Sequence, residues 1–168
     1  MGIMYDYHTI VVGTDGSPLA TPTVARAAWL ATHSDADLVI VCAYSELSRR
    51  QEARAVGTLT EPRIGQVPGR TVASSAIAAA VATAQEQGAT ISAALLVDGE
   101  PATALLATAS DRAADLVVVG ALRDTSVADR LLGTVATEVV RRADCEVLVV
   151  RPRRDGADLS TPAEPVSP

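Results

Sequence analysis

Five short apolar runs recur along the chain, at residues 10–12, 38–41, 91–97, 116–119 and 147–150. Four are dense in Val or Ile and do not alternate with polar residues. That is the pattern of strands with both faces covered in a parallel sheet. Between the runs the apolar positions take a helical period. Residues 19–33 place Ala20, Val24, Ala27, Ala28 and Ala31 on one face. Residues 71–87 repeat the pattern with Val72, Ala76, Ala79, Ala80, Val81 and Ala84. Residues 102–113 offer Ala102, Leu105, Leu106 and Ala109, and residues 134–143 offer Val135, Val139, Val140 and Ala143. The order βαβαβαβαβ predicts an α/β fold: an open five-stranded parallel sheet with helices on both faces. Helix faces built on alanine sit close to the sheet.

Two stretches fall outside this plan. Residues 45–70 are polar and rich in Arg, Gly and Pro, and they are long for a βα connection. They are expected as a mobile insertion, with a functional flap as the alternative. Residues 152–168 carry Pro152, Pro162, Pro165 and Pro168 with almost no large apolar side chain, and are expected as a disordered tail.

Composition narrows the picture. The chain has 168 residues, which suits one domain, and 48% are apolar. Phe is absent and alanine supplies 31 positions, so the core must be aliphatic. With 14 basic and 20 acidic residues the net charge is −6. That balance lacks the electrostatic footprint of a nucleic-acid binder and the basic face of a membrane binder. No apolar run is long enough to span a bilayer, and the start has no signal-peptide pattern, so a cytoplasmic location is expected. Cys42 and Cys145 sit in apolar strand-like runs and are expected as buried hydrophobes rather than metal ligands or redox groups.

All the basic residues are Arg, which excludes a Walker-type phosphate loop, a Schiff-base residue and a kinase lysine. There is no G-x-S-x-G elbow. The only histidines, His8 and His33, have no partner at metal-ligand spacing, and read as an edge residue and a helix C-terminal cation. The chemistry falls to the strand-to-helix loops, because ligands of doubly wound sheets bind outside the carboxyl ends of the strands. The first loop is Gly13-Thr14-Asp15-Gly16-Ser17-Pro18. Asp15 projects from the strand end, where its carboxylate serves either a ribose or amino group or the start of the next helix. The second loop runs from Gly120 through Arg123 to Gly133 and Thr134, which open the last helix. The unpaired amides and dipole of a helix start suit an anion. An ordinary N-cap at Thr134 is the other reading.

Taken together, four stretches resemble the universal stress protein family. They are Ile10-Val11-Val12-Gly13-Thr14-Asp15-Gly16-Ser17, Leu116-Val117-Val118-Val119-Gly120, Leu131-Leu132-Gly133-Thr134-Val135 and Val147-Leu148-Val149-Val150. The resemblance covers residues 8–151. Nucleotide-binding members of the family carry Gly, two residues, Gly, nine residues, Gly and Ser. Gly120 matches the first glycine, and Gly133 with Thr134 matches the last pair. Arg123 stands where the second glycine belongs.

The resemblance implies strand order 3-2-1-4-5, a homodimer through the last strand, and an adenine nucleotide across the ends of strands one and four. It implies Asp15 at the ribose and adenine side, and the backbone of Ala43 beside the base. Gly120, Arg123, Gly133, Thr134 and Val135 fall at the ribose and phosphates. The ligand it implies is ATP, with Mg²⁺ accompanying it, or cyclic AMP. The expected function is a nucleotide-binding regulatory module of the stress response, with at most slow ATP hydrolysis. The alternative is a nucleotide-independent dimeric interaction protein of the branch that does not bind ATP.

Overall fold

The structure is a computed structural model, and it describes residues 6–46, 67–121 and 132–151. The chain runs β1 (Thr9–Gly13), α1 (Ala20–Ser34), β2 (Asp37–Ser45), β3 (Val67–Pro68), α2 (Arg70–Glu86), β4 (Thr90–Asp98), α3 (Pro101–Asp111), β5 (Leu116–Gly120), α4 (Thr134–Arg142) and β6 (Glu146–Val150). All strand pairs are parallel. The five apolar runs form the sheet β4-β2-β1-β5-β6, which is the implied order 3-2-1-4-5.

A sixth strand of two residues, β3, is additional. Tyr44 of β2 pairs with Val67 and also with Asp98 of β4. A strand has two edges, so β3 lies on the β1 side of β2, beyond the point where β1 ends. Of the polar segment 45–70, Ser45 therefore closes β2 and its last residues form β3 and begin α2. Residues 47–66 lie outside the described residues, as does the expected tail from 152 onward.

Strand alternation divides the core in two. Ile10 and Val12 of β1, Leu38 and Ile40 of β2, and Leu116 and Val118 of β5 face α1 and α2. Val11, Val39, Val117 and Val119 face α3 and α4. The helices meet the sheet mainly through alanine: Ala27, Ala28 and Ala31 from α1, Ala80 and Ala84 from α2. The two edge strands are less covered than the three central ones. Exposed and half-buried positions alternate along much of β4, and every residue of β6 after Glu146 is half-buried.

Both cysteines are free. Cys42 is buried in β2, where burial, then the charge of Asp15, push its thiol up to about 12. Cys145 corrects the sequence reading. It sits in the bend before β6, half-buried, rather than inside the strand. His33 occupies the last turn of α1, as expected. Its ring stacks on Trp29 with centroids 3.9 Å apart.

Candidate functional site

From β1 the chain turns to α1 on one face of the sheet. From β5, the neighbour of β1, it passes to α4 on the other. This divergence opens a cleft at the carboxyl ends of β1 and β5. Its empty space, open to solvent at the mouth, is about 730 Å³. Val41, Ala43, Val119 and Leu105 give it an apolar lining. Asp15 is the one charged side chain among the described residues that line it.

Asp15 lies in the loop after β1. Its Oδ1 accepts the Ser17 N–H at 2.9 Å, and the Thr14 hydroxyl oxygen accepts the Gly16 N–H at 3.2 Å. These local bonds fold the loop back on itself. The alternative reading of Asp15 was a turn-former capping the next helix: the Ser17 bond makes the turn, but the N-cap of α1 is Leu19 with no side-chain cap, and Asp15 itself faces the cleft. Gly16 is required twice over. Its φ is +73°, and a Cβ there would lie 2.7 Å from the Cβ of Ala76 on α2.

Ala43 was expected after the second strand. The structure places it inside β2, which is longer than its apolar run suggested. The Val41 carbonyl accepts the Thr14 N–H at 2.9 Å, and the Ser45 carbonyl accepts the Gly69 N–H at 3.0 Å. By alternation, the backbone of Ala43 faces the same edge, in the gap between the end of β1 and β3.

Two helices begin at the cleft, and their ends differ. Gly133 is the N-cap of α4, with no side-chain cap, and its own N–H is taken by the Ala121 carbonyl at 2.7 Å. The first intrahelical bond runs from the Thr137 N–H to the Gly133 carbonyl. The N–H groups of Thr134, Val135 and Ala136 have no acceptor among the described residues. Thr134 is thus the first helical residue and not the N-cap. Gly133 has φ −63°, a value open to any residue.

The start of α3 is closed. Pro101 has no N–H, and Glu100 accepts from the N–H of Ala102 at 2.9 Å and of Thr103 at 2.7 Å. The Ala104 N–H reaches the Glu100 carbonyl. Burial works to raise the Glu100 pKa. The two backbone bonds, the Thr103 hydroxyl and the charge of Arg142 outweigh it and leave the carboxyl below its ordinary value.

Of the seven residues singled out in the sequence, Asp15, Ala43, Gly120, Gly133, Thr134 and Val135 line this one cleft. Arg123 lies outside the described residues. Sequence reasoning missed the α3 wall, Pro101 and Leu105, and Thr23 on α1. No motif marks them. The doubly wound plan carries the signal, because it brings the start of every helix to this end of the sheet. Among the described residues, no group of three or more His, Cys, Asp or Glu could hold a metal ion. No helix among them is long and apolar enough to cross a membrane.

Residues 6–151 match the universal stress protein family. The chain belongs to this family. It is 38% identical over 147 residues to a universal stress protein of Mycobacterium tuberculosis (strain H37Rv), covering 88% of this chain and 98% of the relative. A solved structure of a universal stress protein in complex with cAMP is 33% identical, with a TM-score of 0.64 over 87% of this chain and 98% of that one. A universal stress protein from Archaeoglobus fulgidus shares the fold at 20% identity, with a TM-score of 0.66 over 85% and 98% of the two chains. In this universal stress protein Gly120 ends β5 and Gly133 caps α4, and the bond from the Gly133 N–H to the Ala121 carbonyl brings the family's first and last glycines together at the cleft.

Proposed function

We propose that this universal stress protein binds an adenine nucleotide in the cleft and serves as a regulatory module of the stress response. The observation that carries the reading is the open start of α4. Three N–H groups without acceptors among the described residues lie at the positive end of a helix, in the same apolar-lined cleft as a carboxylate. In this arrangement the base rests by Val41, Ala43 and Val119, and the ribose meets Asp15. The phosphate meets the amides of residues 134–136 and the Thr134 hydroxyl. The relative solved with cAMP supports the same ligand class.

Donor number favours cyclic AMP over ATP: the amides of residues 134–136 and the Thr134 hydroxyl suit a single compact phosphate better than three. Arg123 adds to this argument from the sequence, because it replaces the glycine that would let the backbone follow a longer phosphate chain. Any Mg²⁺ arriving with ATP would find Asp15 as the only carboxylate of the described lining. The protein is a binding module on this reading, cytoplasmic, with at most slow ATP hydrolysis.

Calorimetric titration with cyclic AMP and with ATP, each with and without Mg²⁺, tests the proposal. Cyclic AMP should bind more tightly than ATP. No heat from either at millimolar concentration would leave the nucleotide-independent interaction protein, which the loss of a glycine at Arg123 favours. Either function uses a homodimer. Among the described strands β6 pairs only with β5, and its run from Val147 to Val150 is half-buried, so a second copy can cover that edge. Light scattering at tens of micromolar should give the dimer mass.

A further inference from the structure

We propose that the outer edge of β4 is a second self-association surface, on which another copy of this chain pairs its own β4 antiparallel about a two-fold axis. The surface lies at the opposite edge of the sheet from β6 and does not depend on the nucleotide reading.

The first support is an open ladder. β4 is nine residues long and, among the described strands, pairs only with β2. The Gly99 N–H reaches the Tyr44 carbonyl, and successive residues of a strand turn their backbone groups to opposite sides. Beyond the register shift near its start, Ala93, Leu95 and Val97 therefore bond to β2. The N–H and C=O groups of Ala94 and Leu96 turn outward, with no partner among the described residues. From Ile91 to Val97 the strand holds no proline and no charge, two of the usual means of blocking such an edge. Leu96 joins the cluster of Ala73 and Ala76 on α2, and Leu95 and Val97 join the one built on α3, yet all three stay half-buried.

The second support is charge, which also selects the occupant. Residues 71–85 of α2, 91–97 of β4 and 101–110 of α3 contain no charged residue and no histidine. At the chain's 20% charged, stretches of this combined length would carry about six. The other edge is different: Glu146 starts β6, and Glu138, Arg141 and Arg142 stand on α4. With a net charge of −6, two copies repel wherever their charged faces meet, and a neutral face is where they approach most closely. A charged partner finds nothing to pair with there, whereas a second copy brings the same neutral face and the same open ladder. A two-fold axis at Leu95 sets Ala94 of each copy opposite Leu96 of the other, each pair exchanging both hydrogen bonds. Asp98 then falls opposite Ser92, so no like charges meet. Size agrees as well. A strand of this length spans about 30 Å, and helix layers on either side make the face about 20 Å deep. That flat area of roughly 600 Å², corrugated by side chains, is on the scale of the ~800 Å² per partner of stable interfaces.

The test is sedimentation velocity of the full chain from tens to hundreds of micromolar, beside two variants at one exposed position of β4. Ala94→Arg puts a charge on the neutral face. Ala94→Pro removes one outward N–H and leaves the ladder to β2 whole, so it carries the test if the arginine variant fails to fold. With β6 paired on the far edge, the native mass should climb past the dimer as concentration rises, and both folded variants should stop at the dimer. A native dimer that falls to monomer in both variants also supports the proposal and moves the dimer contact from β6 to β4. A native monomer, or a mass that neither variant changes, overturns it. A fall with arginine but not with proline overturns the strand pairing.

Discussion

Asp15 shapes its loop and faces the cleft with one carboxylate, one oxygen of which holds the Ser17 N–H. Replacing it with alanine should weaken cyclic AMP binding by roughly ten- to a hundredfold, the value of one hydrogen bond to a charged group. The melting temperature without ligand should fall only slightly, because the bond to the Ser17 N–H is local to a surface loop and little packing is lost. Calorimetry and thermal melting of Asp15→Ala check both parts. Asp15 was legible because it follows an unbroken apolar strand and precedes a glycine. Glu100 was not. The sequence Gly99-Glu100-Pro101 reads as a loop entering a helix, and the usual capping residues are Ser, Thr, Asp and Asn. That the carboxylate closes α3 emerges only from the two distances to its amides.

At the scale of elements, a second carboxylate ties the far end of the sheet. Asp115, just before β5, accepts the N–H groups of His8 at 2.6 Å and Thr9 at 2.9 Å, and so fixes the start of β1. Partial burial acts to raise its pKa, but these bonds and the nearby His8 ring hold the carboxyl below its ordinary value. Glu100 is held low in the same way. A depressed folded pKa gives stability that is present above the unfolded value and lost as pH falls through the folded one. The melting temperature should therefore hold between pH 7 and 5 and decline below about pH 4, where Asp and Glu ordinarily titrate. Asp115→Asn should start lower and decline less, as a series of melts against pH will show. The four helices and five main strands were legible from periodicity, because strongly patterned segments leave little choice of partner face. The ends of β2 and the whole of β3 were not. They pair with each other through Tyr44 and Ser45, and a two-residue ladder leaves no period to read.

For the whole molecule, the strand order sets what can touch. Cys42 on β2 and Cys145 before β6 are separated by three strand spacings, roughly 14 Å, while a disulfide needs Cα atoms within about 7 Å. Both thiols should titrate on the unfolded, unreduced chain. In the native protein Cys145 should react with a thiol reagent well before Cys42, which is buried and pushed up to about 12. Reaction of Cys42 first would mean that β2 opens more readily than the end of β6. The order itself came from resemblance to a family. Helical and strand periods fix which face is apolar, but several orders of parallel strands satisfy them equally.

The contact behind the cleft loop has a mechanical meaning. Gly16 has no room for even a methyl group against Ala76, so the loop that carries Asp15 is braced from the rear by α2. Residue 76 touches nothing in the cleft, yet its bulk sets how far forward that wall can stand. A larger side chain there should narrow the opening as a shim tightens a joint. Ala76→Val is expected to lower cyclic AMP affinity without altering one residue of the lining, and titration of that variant beside the native chain measures it. The dimensions of this site are thus adjustable from a surface the ligand never meets, where drift between relatives can retune binding while every contact residue stays the same.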